Sequence, residues 1–245
     1  MLNATPVPLW RQLQAASRVL AAVRGGESAT PALARVEAAL RPGAQALAFQ
    51  ALRYLGRAEA LRRLLASRAP PPAADALLCT ALALAWNESD APYEGFTLVD
   101  QTVEAAKRDP EARGQANFIN ACLRRFLRER EALVASSSRD PVARWNHPRW
   151  WIDRLQADHP QQWEAILHAN NAQAPMTLRI DTRKMPRPEY LQMLAAAGLG
   201  ATPVGDYGVV LERAQPVHQI PGFDLGLVSV QDAAPSWRRP CCWTD

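Results

Sequence analysis

The side chains best able to do covalent or metal chemistry in this 245-residue chain are four cysteines and four histidines. Their spacing supports neither chemistry. Cys79, Cys122, Cys241 and Cys242 include no C-x-x-C pair, so neither a zinc site nor a disulfide framework is indicated. Cys79 and Cys122 fall on apolar faces of helical patterns and read as small buried hydrophobes in a reducing compartment. His147, His159, His168 and His218 share no ligand spacing. The chain also lacks a glycine-rich strand-to-helix turn, a P-loop and a G-x-S-x-G elbow. No catalytic, cofactor-binding or metal-ligating residue is therefore assigned.

Recognition chemistry is better represented. Asn117, Asn120, Arg124 and Arg128 recur at i, i+3, i+7 and i+11 and make one polar stripe on a helix. Arginine offers a rigid fork of donors that suits phosphate oxygens, so the stripe could face RNA. The same pattern describes a solvated helix face with arginines toward its C-terminal end, and on pattern alone that reading is favoured. Trp145, Trp150, Trp151 and Trp163 invite base stacking. At helical spacing at least three of them are expected to be packing anchors instead. Asp181 and Arg183 lie at a strand end, where such groups are commonplace.

The elements that would carry these residues emerge from periodicity. Residues 7–134 read as consecutive helices. The first spans residues 8–24 and stops at Gly25-Gly26. A short one covers residues 31–40 and is closed by Pro42. A stripe of Ala44, Leu47, Ala48, Ala51, Leu52 and Leu55 comes next and breaks at Gly56. Leu77, Leu78, Ala81, Leu82 and Ala85 mark a strongly apolar helix, expected at the centre of the bundle. The last helix of the set, residues 115–131, turns Phe118, Ile119, Cys122, Leu123, Phe126 and Leu127 inward. Ser136-Ser137-Ser138 reads as a linker. Beyond it lie the tryptophan-bearing helices, broken at His159-Pro160. From Pro175 the period changes to two: a strand over residues 176–181, a helix over 188–197 ending at Gly198, and a strand over 209–212. Residues 217–230 add short extended pieces broken by Pro221-Gly222.

Composition is that of a folded chain, 48% hydrophobic and 21% charged, with core enough for one large or two small domains. A net charge of +4 permits a polyanionic partner without demanding one. No apolar run is long enough to span a bilayer. Residues 1–26 hold Arg11, Arg18 and Arg24 and no acid, as a transit peptide would, but their apolar stripe fits an ordinary first helix better.

Two segments then carry a resemblance. Phe118-Ile119-Asn120-Ala121-Cys122-Leu123-Arg124-Arg125-Phe126 resembles the F-V-N-A-V-L-R-R helix that closes a NusB-like domain. Asn146-His147-Pro148 with Trp150-Trp151, Asn170-Asn171, Pro175-Met176-Thr177-Leu178-Arg179, and Pro216-Val217-His218 with Pro221-Gly222-Phe223 resemble the region C-terminal to that helix in the RsmB (Sun or Fmu) family. These are bacterial 16S rRNA cytosine-C5 methyltransferases, and the match runs in order over residues 8–234. The resemblance implies a mainly α chain: a NusB-like all-α bundle over residues 1–138, then linking helices and a small α/β RNA-binding domain over 139–230. Residues 231–245 would begin a methyltransferase domain.

In the family that last domain binds S-adenosylmethionine and uses two cysteines, one attacking C6 of cytosine and the other helping to release product. The segment that does so, resembling D-x-C-A-x-P-G-G-K-T, is absent from this sequence. Cys241-Cys242 do not match its cysteines. Ser229-Val230-Gln231-Asp232-Ala233-Ala234 matches the family's entry to the catalytic domain. Residues 235–244 are what a family-like continuation, A-Q-L-A-A-P-L-L-L-D, would become if written in suitably chosen GC-rich codons with one nucleotide lost. A frame shift after Ala234 is therefore expected, and resequencing tests it.

On this reading the chain is the RNA-binding part of the enzyme and inactive alone. Its candidate RNA-binding residues are Asn120, Arg124, Arg125, Arg128, Arg179 and Arg183. The expected partner is 16S rRNA, with no cofactor, metal or membrane, and the chain is expected to be a cytoplasmic monomer with a disordered tail over residues 235–245. The alternatives are a stand-alone NusB-like module in transcription antitermination, against which residues 140–230 argue, and a product with no cellular role.

Overall fold

The computed structural model of the protein describes residues 7–89, 91–172 and 174–233. The chain divides into two compact units between residues 171 and 172. Helices dominate, and the sheet lies wholly in the second unit. The expected frame shift and tail disorder fall on residues outside those described.

The first unit contains α1 (Leu9–Arg24), α2 (Ala29–Ala34), α3 (Arg41–Arg53), α4 (Leu55–Leu65), α5 (Pro72–Ala85), α6 (Gly95–Arg108) and α7 (Ala116–Ser137). After these come α8 (Pro141–Trp145), α9 (Arg149–Asp158) and α10 (Trp163–Asn171). From Ala76 to Ala85 every residue of α5 is buried, and α1, α3, α4, α6 and α7 all pack on it. A helix apolar on every side has no stable place except the interior. Helix α1 ends at Gly25 and Gly26, and Gly26 takes the left-handed φ of +92° that a side chain would resist.

Three readings of this region are corrected. Pro42 does not close a helix over residues 31–40. Helix α2 is shorter, and Pro42 sits in the first turn of α3, where a missing N–H costs nothing. Gly56 does not break the chain either. The break falls at Tyr54 (φ −109°, ψ 21°), and Gly56 lies inside the first turn of α4. It is small because α8 passes close: a Cβ there would stand 2.5 Å from the Val142 carbonyl oxygen. The triple serine is not a free linker, since Ser136 and Ser137 end α7 and Ser137 is buried.

What those serines hold is Arg57, which is 4% exposed. Its Nη1 donates toward the Val134 carbonyl at 3.2 Å, Ser137 Oγ at 2.8 Å and Ser138 Oγ at 2.7 Å. Its guanidinium lies 5.1 Å from the Trp86 ring centroid. Burial, and next to it the charge of Arg144, pulls its pKa below the ordinary arginine value. The acceptors compensate in part, because a helix C-terminus gathers negative potential. Asn146 completes the joint. It takes the left-handed conformation at the end of α8 (φ 54°) and accepts from the Arg57 backbone N–H at 2.9 Å, satisfying a donor of the first turn of α4.

Helices α8–α10 build a satellite core from Trp145, Ile152, Leu155 and Leu167, flanked by half-buried Trp151, Trp163 and Ile166. Trp145 meets Trp163 and His168 edge-on, each at 5.1 Å between ring centroids. Three of the four tryptophans are thus packing residues, as expected. Trp150, 67% exposed, is not.

The second unit pairs one helix, α11 (Arg187–Ala196), with β1 (Thr177–Ile180), β2 (Ala201–Val204), β3 (Gly208–Leu211) and β4 (Val228–Val230). The strands lie in the order β2-β3-β1-β4, all antiparallel. Leu178, Ile180, Val209, Leu211 and Val228 form the buried face with Tyr190 and Leu194 of α11 and with Ile220. Tyr190 reaches the Pro221 carbonyl through its hydroxyl at 3.0 Å. Strand β2 is not legible in the sequence because it contains Pro203, which a strand tolerates at an edge.

Candidate nucleic-acid interface

The candidate arginines fall into two sets, each on its own unit. On α7, Arg124, Arg125 and Arg128 are exposed and Asn120 is half-buried. The helix turns its apolar side, Ile119, Cys122, Leu123 and Phe126, into the bundle, which leaves the polar stripe outside. Arg124 Nε donates to Asn120 Oδ1 at 3.1 Å, one turn back. Arg125 points elsewhere and is engaged by Glu129 at 3.0 Å. Arg128 has no carboxylate within ion-pair distance among the described residues. It lines a shallow hollow of about 530 Å³ with Phe96, Glu94 and Glu131. Glu129 departs from helical geometry (φ −113°, ψ 18°), so the stripe ends where α7 kinks.

In the second unit, Arg179 and Arg183 share one cleft of about 760 Å³. Alternation along β1 sends Leu178 and Ile180 into the core and Arg179 to the open face of the sheet. Register then decides what surrounds it. Arg179 stands opposite Gly208 on one side and Ser229 on the other, so neither neighbour covers it. Its Nη1 reaches Gln231 Oε1 only at 3.5 Å. Arg183 is displayed on the turn after β1 with 89% of its side chain exposed, pairing with Asp181 through Nε at 3.0 Å and Nη2 at 3.2 Å. That guanidinium holds the Asp181 carboxyl below the usual range, so the acid stays ionised and matched. Thr182, Tyr207, Ser229 and Gln231 complete the polar wall. Lys184, adjacent in sequence, donates to the carbonyls of Leu225 and Gly226 at 3.3 Å each.

Tyr207 carries no sequence signal, and the resemblance marks Ser229 and Gln231 only as part of the entry to another domain. The three come from separated stretches, and only the strand pairing gathers them. Neither set of arginines contains a nucleophile beside a base, and no group of three His, Cys, Asp or Glu able to hold a metal occurs among the described residues. What the arrangement can do is bind: guanidinium forks for anionic oxygens, hydroxyls and an amide for polar edges, one aromatic ring for a flat apolar surface. No helix among the described residues is long and apolar enough to cross a membrane.

Comparison with known proteins identifies relatives of the chain. Residues 147–218 match the ferredoxin-like domain of RsmF/B-like methyltransferases. Over 234 residues the chain is 42% identical to ribosomal RNA small subunit methyltransferase B of Pseudomonas putida, covering 90% of this chain and 52% of that protein. The protein of the same name from Vibrio cholerae is 34% identical over 228 residues, again covering 90% of this chain and 52% of the relative. The chain therefore spans about half the length of these relatives. Among solved structures, that of PH0851 is similar in fold at a TM-score of 0.59 and 13% identity, covering 93% of this chain and 54% of that one.

Proposed function

We propose, from the premise that the chain belongs to the small-subunit rRNA methyltransferase B (RsmB) family, that it is the RNA-binding part of an S-adenosylmethionine-dependent 16S rRNA (cytosine-C5) methyltransferase. Methyl transfer itself falls to residues other than those described. Residues 1–138 act as a NusB-like helical domain and 139–230 as the RNA-binding part, in a cytoplasmic monomer.

One observation carries the reading. Arg179 and Arg183, inside the segment that matches the family's ferredoxin-like domain, line one cleft whose single acid is already matched. Such a cleft favours a polyanion over a neutral or cationic ligand. The described residues do not fit S-adenosylmethionine. The sheet is wholly antiparallel, so it has no parallel-strand crevice or crossover-helix N-terminus to receive a nucleoside cofactor.

The test is binding of small-subunit rRNA fragments at several salt concentrations. Affinity should fall as salt rises, and Arg179→Ala should reduce the logarithmic salt slope by about 1, the signature of one lost phosphate contact. A salt-independent affinity would contradict the proposal, as would measurable methyl transfer by this chain. If Arg124→Ala and Arg128→Ala abolish binding while Arg179→Ala and Arg183→Ala do not, the helical bundle is the RNA-binding module and the antitermination reading gains.

A further inference from the structure

The cleft on the open sheet face is concave, and its walls differ in kind. Tyr207 contributes an aromatic ring from the β2–β3 turn, Arg179 a guanidinium from the middle of β1, and Ser229 and Thr182 hydroxyls from β4 and from the turn after β1. At about 760 Å³ it falls within the range of about 300–1,000 Å³ typical of small-ligand sites. A duplex in the A form offers a wide, shallow groove and sugar–phosphate ridges, which suit a broad surface rather than a hollow. An unpaired nucleotide offers what the hollow could grip: a flat base, a 2′-hydroxyl and one phosphate.

We infer that this cleft takes an unpaired ribonucleotide, its base stacked on Tyr207 and its phosphate held by the Arg179 guanidinium, so that the unit selects single-stranded or bulged RNA over duplex. The inference rests on the RNA-binding reading above and sharpens it. Three features support it. Arg179 is not committed, because its hydrogen bond to Gln231 is long and its strand neighbours are Gly208 and Ser229. Gly208 leaves room for Val204, whose carbonyl oxygen and Cγ1 would stand 2.8 and 2.9 Å from a Cβ there; an apolar side chain therefore borders Arg179 on the β2 side. Tyr207 lines the cleft half-buried, its backbone carbonyl accepting from the Ile180 N–H at 2.8 Å.

The experiment compares the full chain and its Tyr207→Ala and Tyr207→Phe variants by fluorescence anisotropy. Two RNA probes of equal length serve, one unstructured and one a blunt, fully paired duplex. Wild type should prefer the unstructured probe. Tyr207→Ala should weaken that probe by about 5- to 100-fold, the usual cost of one lost base stack, and leave the duplex unchanged. Tyr207→Phe should retain the preference, because the ring and not the hydroxyl does the stacking. An unaltered circular dichroism spectrum and urea midpoint for Tyr207→Ala establish that the fold is intact. Equal affinity of wild type for both probes, or an unchanged affinity of Tyr207→Ala for the unstructured one, would overturn the inference while leaving RNA binding in place. Failure of wild type to bind either probe would overturn the RNA-binding reading as well.

Discussion

Replacing Arg57 separates what its charge does from what its stem does. The side chain is 4% exposed, and three acceptors surround Nη1: the Val134 carbonyl, Ser137 Oγ and Ser138 Oγ. One guanidinium nitrogen carries two hydrogens, so these bonds cannot all be full strength at once. Each hydrogen bond to a charged group contributes about 1.5–3 kcal/mol, offset by the cost of taking the guanidinium out of water. Removing it strands little, because both serine hydroxyls also donate to the Val134 carbonyl, at 2.9 and 2.8 Å. The larger loss in Arg57→Ala is the buried side-chain volume, including the guanidinium over the Trp86 ring, and the cavity left behind, about 2–4 kcal/mol in all. Arg57→Met keeps most of that volume and discards the desolvation cost, so it should cost less than about 1.5 kcal/mol. Urea unfolding of both variants, with amide exchange at Ser137 and Ser138 reporting on the end of α7, checks the pair. If Ala and Met are equally damaging, the charge and not the stem holds the joint. If Arg57→Ala lies within about 0.5 kcal/mol of wild type, the joint is not holding α4 to α7 at all.

Gly56→Ala, whose Cβ would press on the Val142 carbonyl, should destabilise the chain by about 1–3 kcal/mol although alanine is the better helix former; a rise in melting temperature would show that α8 yields freely. Cys79, its thiol pushed up to about 11 by burial, should resist alkylation in the folded chain at pH 8 and react only with unfolding, as mass spectrometry would reveal. The same shift sets a pH dependence. Above pH 9 the unfolded thiol loses its proton first, so stability should decline from about pH 9 to about pH 11, by on the order of 2 kcal/mol from this group; a flat profile there would contradict the burial argument. On α7, Arg128→Ala should weaken RNA binding more than Arg125→Ala, because Arg125 already answers Glu129; the reverse order in a filter-binding titration would place the RNA elsewhere.

The main architecture is legible in the sequence where burial writes a period. The apolar α5, the end of α1 at Gly25-Gly26 and the inward face of α7 all come from spacing alone. Spacing misleads where one residue type serves two physical purposes. Pro42 looks the same whether it ends a helix or begins one, and Gly56 the same whether it breaks a helix or lets another approach. Ser136-Ser137-Ser138 is polar whether water or a buried guanidinium answers it. Arg57 itself leaves no trace, because an arginine in a helical run reads as solvent-facing. Half of the candidate cleft is legible through Arg179 and Arg183. The other half depends on a cross-strand register that no local pattern encodes.

Pro203 has a consequence for how the sheet meets other chains. The Glu212 N–H bonds to the Gly200 carbonyl, so along β2 it is the even-numbered residues that face β3. Pro203 is odd, and the donor it lacks would have pointed outward, away from the sheet. On that rim β2 therefore presents a gap where an incoming strand would need an N–H. A free strand edge is ordinarily a template for aggregation, and this one carries its own stop. Strand addition at β2 is thus short of one donor, and among the described strands the other edge of the sheet is β4.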